Sequence, residues 1–137
     1  MRTLLALGFL ASLLTLPNLG CLGCSAYSGG GDVIYARGQD QLILCENTGF
    51  VATINGATIE GKYSENAPGS SVTDVGTEGD NGKLAFDLTV ASDGTATAPE
   101  LGSGAWTEVS TSMNQVELDH ADILCKDLVN RAWWGTP

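Results

Sequence analysis

Residues Gln41 to Ser64 read QLILCENTGFVATINGATIEGKYS, and this stretch decides the fold. Gln41 to Glu46 is a short apolar run of strand length, with Leu42 and Leu44 on one face and Ile43 and Cys45 on the other. Both faces therefore look buried. Asn47-Thr48-Gly49 is turn chemistry, and Phe50 to Ile54 predicts a second strand. Asn55-Gly56 follows, a pair that tolerates positive φ at both positions and is the strongest short hairpin signal. Ala57 to Ser64 is then the return strand. Gly61, between Ile59 and Tyr63, predicts a bulge or a close approach of backbone.

Toward the C-terminus, Glu65 to Gly82 (ENAPGSSVTDVGTEGDNG) holds four glycines, a proline and four acidic residues. This predicts a long mobile loop, the least ordered part of the domain, broken by a short strand around Ser71 to Val75. Lys83 to Ala91 (KLAFDLTVA) alternates Leu84, Phe86, Leu88 and Val90 with Ala85, Asp87, Thr89 and Ala91. Ser92-Asp93-Gly94 turns the chain, Thr95 to Ala98 returns antiparallel, and Ala105 to Val109 is a last strand. From about 119 to 132 the period changes to that of a helix. Leu118, Ala121, Leu124, Cys125, Leu128, Val129 and Ala132 share one face, with Ile123 alone out of place. Asp119 is the expected cap, and Asp122–Lys126 and Asp127–Arg131 are i,i+4 pairs of favourable order.

Strands first and one helix last predict a mostly β (α+β) domain. It is an antiparallel sheet or small partly closed barrel of about six strands, with one C-terminal helix packed on it. The folded part begins near Val33, so 33–137 is one domain.

The N-terminus reads as an address. Arg2 is followed by an apolar run from Leu4 to Leu16, too short to span a bilayer and ended by Pro17, as in a secretory signal peptide. The run leads into NLGCLGCSA, with Gly20-Cys21 and Gly23-Cys24. This resembles the lipobox of bacterial lipoproteins over the first 24 residues. The resemblance implies diacylglycerol on Cys24 or Cys21, cleavage before that cysteine, and a membrane partner reached through lipid. The residues in front of each cysteine depart from the family's usual Leu-Ala/Ser. Cleavage by ordinary signal peptidase at Cys24-Ser25-Ala26, releasing a soluble secreted protein, is one alternative, and an apolar run left uncut as a weak anchor is another. Residues 1–23 are then the signal and 24–32, with Gly29-Gly30-Gly31, a tether. The whole chain resembles small lipoproteins of Gram-negative bacteria, placed at the outer membrane or periplasmic face, and that resemblance brings no activity with it.

If Cys21 and Cys24 belong to signal and lipid, Cys45 and Cys125 remain as a pair, and an exported chain meets oxidising conditions. Cys125 lies in the apolar arc of the helix and Cys45 in a strand apolar on both faces. A disulfide joining helix to sheet follows.

Six basic residues stand against 16 acidic ones, a net charge of −10, one unit more negative once Arg2 is removed. Such a chain repels phosphate backbones, which argues against nucleic acid as a partner. His120, with Asp119, Asp122 and Cys125, is the one cluster of metal-ligand type, but Cys125 lies on the opposite face of the helix, so no metal is expected there. Asp74 to Gly82 is oxygen-rich yet places Ala85 where a calcium loop of the helix-loop-helix type needs Glu. No nucleophile stands in a catalytic context, and no cofactor is expected. Trp133 and Trp134, on adjacent positions, cannot both face a core, so one ring is expected to be partly exposed. They are the candidate contact surface. The expected role is a structural or binding module that is not an enzyme, with a small-ligand carrier using a barrel pocket as the alternative.

Overall fold

A computed structural model describes residues 31–135. The signal at 1–23, the candidate lipid sites Cys21 and Cys24, and most of the tether lie outside the described residues. Eight strands follow one another: β1 (Val33–Arg37), β2 (Asp40–Leu44), β3 (Gly49–Ile54), β4 (Ala57–Glu65), β5 (Asp74–Glu78), β6 (Leu84–Val90), β7 (Thr95–Thr97) and β8 (Trp106–Glu108). Each pairs antiparallel with the next, and β8 pairs back onto β1 through Tyr35 opposite Glu108, closing the barrel. The count is therefore eight rather than six, and the sheet has no free edge.

The alternation read in β2 is the key to the packing. Leu42 and Leu44 point into the barrel with Phe50, Phe86, Leu88 and Trp106, while Ile43 and Cys45 point outward. Outside, helix α1 (Gln115–Asp127) covers Ile34, Ile43 and Val51 with Ala121 and Cys125, and Leu128 just beyond the helix completes the patch. The barrel axis is filled: Phe50 meets Phe86 edge to face with ring centroids 4.9 Å apart. An eight-stranded barrel is just wide enough for such filling.

The hairpin at Asn55-Gly56 has positive φ at both residues, 51° and 84°, as its chemistry requires. Gly61 is the close approach: a Cβ there would run into the Thr77 carbonyl of the neighbouring strand. The bulge lies across from it, where the β5–β6 register shifts between Gly76 and Thr77.

Three further expectations need correction. The stretch 65–82 is not one loop, because β4 runs to Glu65 and Asp74–Glu78 is a full barrel strand. The segment between them is pinned, with Asn66 N–H donating to Thr73 O at 2.8 Å and Thr73 N–H to Leu88 O at 2.7 Å. The helix also begins four residues before 119. Asn114 caps it, accepting from Glu117 N–H while Glu117 accepts from Asn114 N–H, both at 3.0 Å. This reciprocal box satisfies two donors at the helix start, which Asp119 within the helix cannot do. At the other end α1 tightens into a 3-10 turn (Leu128–Asn130) and the chain leaves helical geometry at Arg131. That rotation keeps Leu128 buried but turns Val129 and Ala132 out, with Val129 48 % exposed.

Candidate functional site

Helix α1 carries a second apolar surface besides the one it buries. Val116, His120 and Ile123 are spaced i, i+4 and i+7, so they form one outward stripe. Val116 is 78 % exposed and Ile123 63 %. Beside the stripe lies a groove of about 420 Å³, walled by Gln41 on β2, by Met113, and by Val116, Glu117, His120 and Ala121. The cap at Asn114 fixes where the helix starts and so places Val116 and Met113 at the groove mouth. Apolar walls with one imidazole, one carboxylate and one amide suit a side chain or peptide segment better than a charged small molecule.

His120 is exposed, and the expected separation from Cys125 holds. Cys125 instead bonds Cys45, with Cα atoms 5.6 Å apart across 80 residues of chain. The bond joins helix to barrel through the two faces named from sequence. Asn47 Nδ2 donates to Cys125 O at 3.0 Å and Tyr63 OH to Cys45 O at 3.1 Å, so the bridge is stitched on both sides. Asp32, Cys45 and Cys125 bring three atoms of metal-ligand type within 4.8 Å of one another. Both sulfurs are consumed in the disulfide, so no thiolate is present there to hold a metal. The oxygen-rich stretch at 74–82 does not converge either. Asp74 opens β5, whereas Glu78 and Asn81 bond each other in the turn at its far end.

Trp133 and Trp134 do not divide between core and solvent as helix geometry would require, because the chain is no longer helical there. Both are half-buried on the outer wall of the barrel. Trp133 lies on Gly79, where a Cβ would strike its ring, and Trp134 lies over Gly49 with Lys62 Nζ 4.9 Å from its ring centroid. Arg131 anchors the segment through paired bonds to Glu60 at 2.7 and 2.8 Å.

A second polar locus sits in the barrel itself. Asp74 is the one charged residue among the buried residues described, 6 % exposed. Burial, and then the charge of Glu65, push its carboxyl up to about 6. Burial likewise pushes the Tyr63 hydroxyl up to about 12, helped by Asp74, Glu65 and Asp32. Sequence reading took Asp74 only as the start of an oxygen-rich loop and missed that it is buried in a strand. The available signal was a carboxylate two residues before Gly76 in a barrel strand, which is recognisable only once the strand is.

No helix among the described residues is long and apolar enough to cross a membrane. The disulfide is a bond that oxidising, exported compartments form and keep. No protein-family model, no curated protein and no solved structure matches this chain.

Proposed function

We propose that the protein is an exported, lipid-anchored envelope protein whose domain is a binding module, docking a partner on the groove of α1. The anchor would be Cys24 or Cys21, with the Gly/Ser-rich tether holding the domain off the membrane. The observation that carries the binding reading is the Val116–Ile123 stripe beside an apolar groove, on a helix whose other face already covers the barrel. Exposed apolar side chains grouped beside a concave surface mark interaction sites more often than single scattered ones do. A carrier with a barrel pocket is the second reading. It is placed lower because Trp106, Phe50, Phe86, Leu42 and Leu88 fill the barrel axis and are fully buried. The half-buried edges of Trp133 and Trp134 would extend the contact surface on a neighbouring wall.

The test is a photo-crosslinking amino acid placed at position 116 in producing cells, compared with one at the exposed turn residue Ser92. A discrete adduct from position 116, lost when Ile123→Asp is added and absent from position 92, is expected. Equal labelling from both positions, or none from 116, overturns the reading.

A further inference from the structure

Arg37 and Asp74 lie at opposite ends of the barrel, and their surroundings differ in one respect. The Arg37 guanidinium bonds Asp40, Leu101 O and Gly102 O and lies over the Trp106 ring. Asp74 has none: among the described residues its carboxylate makes no hydrogen bond and no ion pair. Its oxygens are nevertheless not sealed off, since the only fully enclosed polar side-chain atom without a partner there is Trp106 Nε1. A carboxylate that is buried, unpaired and still reachable is costly unless something completes it.

The register shows where it points. Asp74 pairs with Leu88 on β6 and with Glu65 on β4. Directly paired residues project to the same side of a sheet, and Leu88 is in the barrel interior. Asp74 therefore faces inward, and Glu65, exposed at the end of its strand, stands on the same side at the rim. Two like charges placed opposite each other destabilise a sheet. Tyr63, two residues before Glu65, does not relieve them, because its hydroxyl proton is given to the Cys45 carbonyl.

The barrel segments at this end carry one sign, and the nearest cations are outside the barrel: Lys126 on α1, whose charge reaches Asp32, and Lys62, which lies over the Trp134 ring. The segments that build this end are 31–34, 45–48, 63–75, 88–96 and 107–110. They carry Asp32, Glu46, Glu65, Asp74, Asp93 and Glu108, and no lysine, arginine or histidine. Such a rim raises the local concentration of cations and steers them toward the mouth.

We propose that this mouth binds a primary ammonium group, as carried by a lysine side chain of a partner protein, with Asp74 as the buried counter-charge and Glu65 as the second acceptor. An ammonium has three donors and no acceptor, which suits two carboxylates. Its alkyl stem can lie along the partly buried Val90 at the mouth. A hard divalent ion suits the place less well. It wants six or more oxygens, and the nearby carbonyls of Val72, Thr73 and Leu88 already accept hydrogen bonds from Asn66 and Thr73. The site is on a different face from the α1 groove and stands without it.

The test is a nuclear magnetic resonance titration of the purified full chain with Nα-acetyl-lysine amide. Its Nε-acetylated analogue serves as the uncharged counterpart and calcium chloride as the competing cation. Saturable shifts are expected at residues 63–65 and 73–75 with the charged probe alone. Losing a charge-assisted contact should weaken that binding roughly tenfold or more in Asp74→Asn. Glu65→Gln, at the exposed rim where folding is not at stake, should weaken it less. Asp80→Asn should leave it unchanged, because that exposed carboxylate lies in the turn between β5 and β6, at the opposite end of β5 from Asp74. The proposal is overturned by no shift with the charged probe, by equal shifts from the uncharged analogue, by shifts from calcium alone, or by an Asp80→Asn effect as large as that of Asp74→Asn.

Discussion

The barrel has one end closed by a cation and one end lined by an unpaired anion. Arg37 donates to Gly102 O at 3.0 Å, Leu101 O at 2.6 Å and Asp40 Oδ2 at 2.9 Å. Its guanidinium lies 4.3 Å from the centroid of the Trp106 ring. Asp40 in turn accepts from Asn55 N–H at 2.9 Å, and that bond, with Arg37, holds its carboxyl below the usual range. The segments at 40, 101–102 and 106 thus meet on one side chain, and at this end only Trp106 Nε1 is fully enclosed without a hydrogen-bond partner among the described residues. At the Asp74 end the barrel contributes repulsion, and order comes from outside, through the disulfide and the bonds of Asn47 and Tyr63 around it. A closed barrel need not be uniformly stabilised: one end can be finished by its own side chains and the other left for a partner.

The largest test of this contrast is the disulfide. Closing an 80-residue loop is worth roughly 4–5 kcal/mol in the chain-entropy model. Cys45→Ala should cost about that much in denaturant unfolding, and Cys45→Ala with Cys125→Ala little more. Hydrogen exchange should rise at 45–48 and at Tyr63 well before it rises at 37–40. Equal loosening of both ends would break the comparison.

Next comes the closed end. Arg37→Ala removes three charge-assisted bonds and the stacking on Trp106, and should cost about 2–3 kcal/mol. Arg37→Lys should recover only part of it, since an ammonium cannot reach the two carbonyls and Asp40 in one plane.

Asp74 should show the opposite sign. An aspartate in the unfolded chain titrates near 3.8, whereas in the fold this one is pushed up to about 6. Between those values the folded chain keeps a proton that the unfolded chain has lost, so stability falls as pH rises through that window. Asp74→Asn should match the parent at about pH 4 and be the more stable by roughly 1–2 kcal/mol at about pH 8, after allowance for solvent screening.

The smallest effect is expected at the strap on the outer wall. Arg131 and Glu60 are partly exposed, so a double-mutant cycle on Arg131→Ala and Glu60→Ala should return only about 0.5 kcal/mol. A much larger coupling would mean that the tryptophan segment, and not the disulfide, holds the Asp74 end.

The same contrast explains what could be read in the residues. Strands whose inward positions are large and apolar were legible, because alternation reports burial directly: Leu42 and Leu44 inside, Ile43 and Cys45 under the helix. The disulfide was legible for the same reason, each cysteine lying on a face that had to meet the other. β5 was legible only as a short strand placed about three residues early, because its inward residues are Asp74 and Gly76. Gly76 is there because the Phe86 ring occupies the space a Cβ would need, and Asp74 carries no apolar signal at all. Closure of β8 onto β1 was invisible too, since pairing Tyr35 with Glu108 leaves no local mark. The helix start was readable, in Asn114 and Glu117 at capping-box spacing, but the wider apolar arc drew the boundary to Asp119. The candidate sites divide the same way. The tryptophans stood out by residue type, whereas Val116 required the helix to be placed and Asp74 required the barrel to be closed.

The measurement that bears most directly on this account is a carbon-13 titration of the aspartate side-chain carboxyls in the full chain without added amine. The expected result is Asp74 with a midpoint pushed up to about 6, with Asp32 also raised by its burial. A midpoint for Asp74 near the ordinary 3.8 would show that its carboxylate is solvated or paired, and would contradict the account.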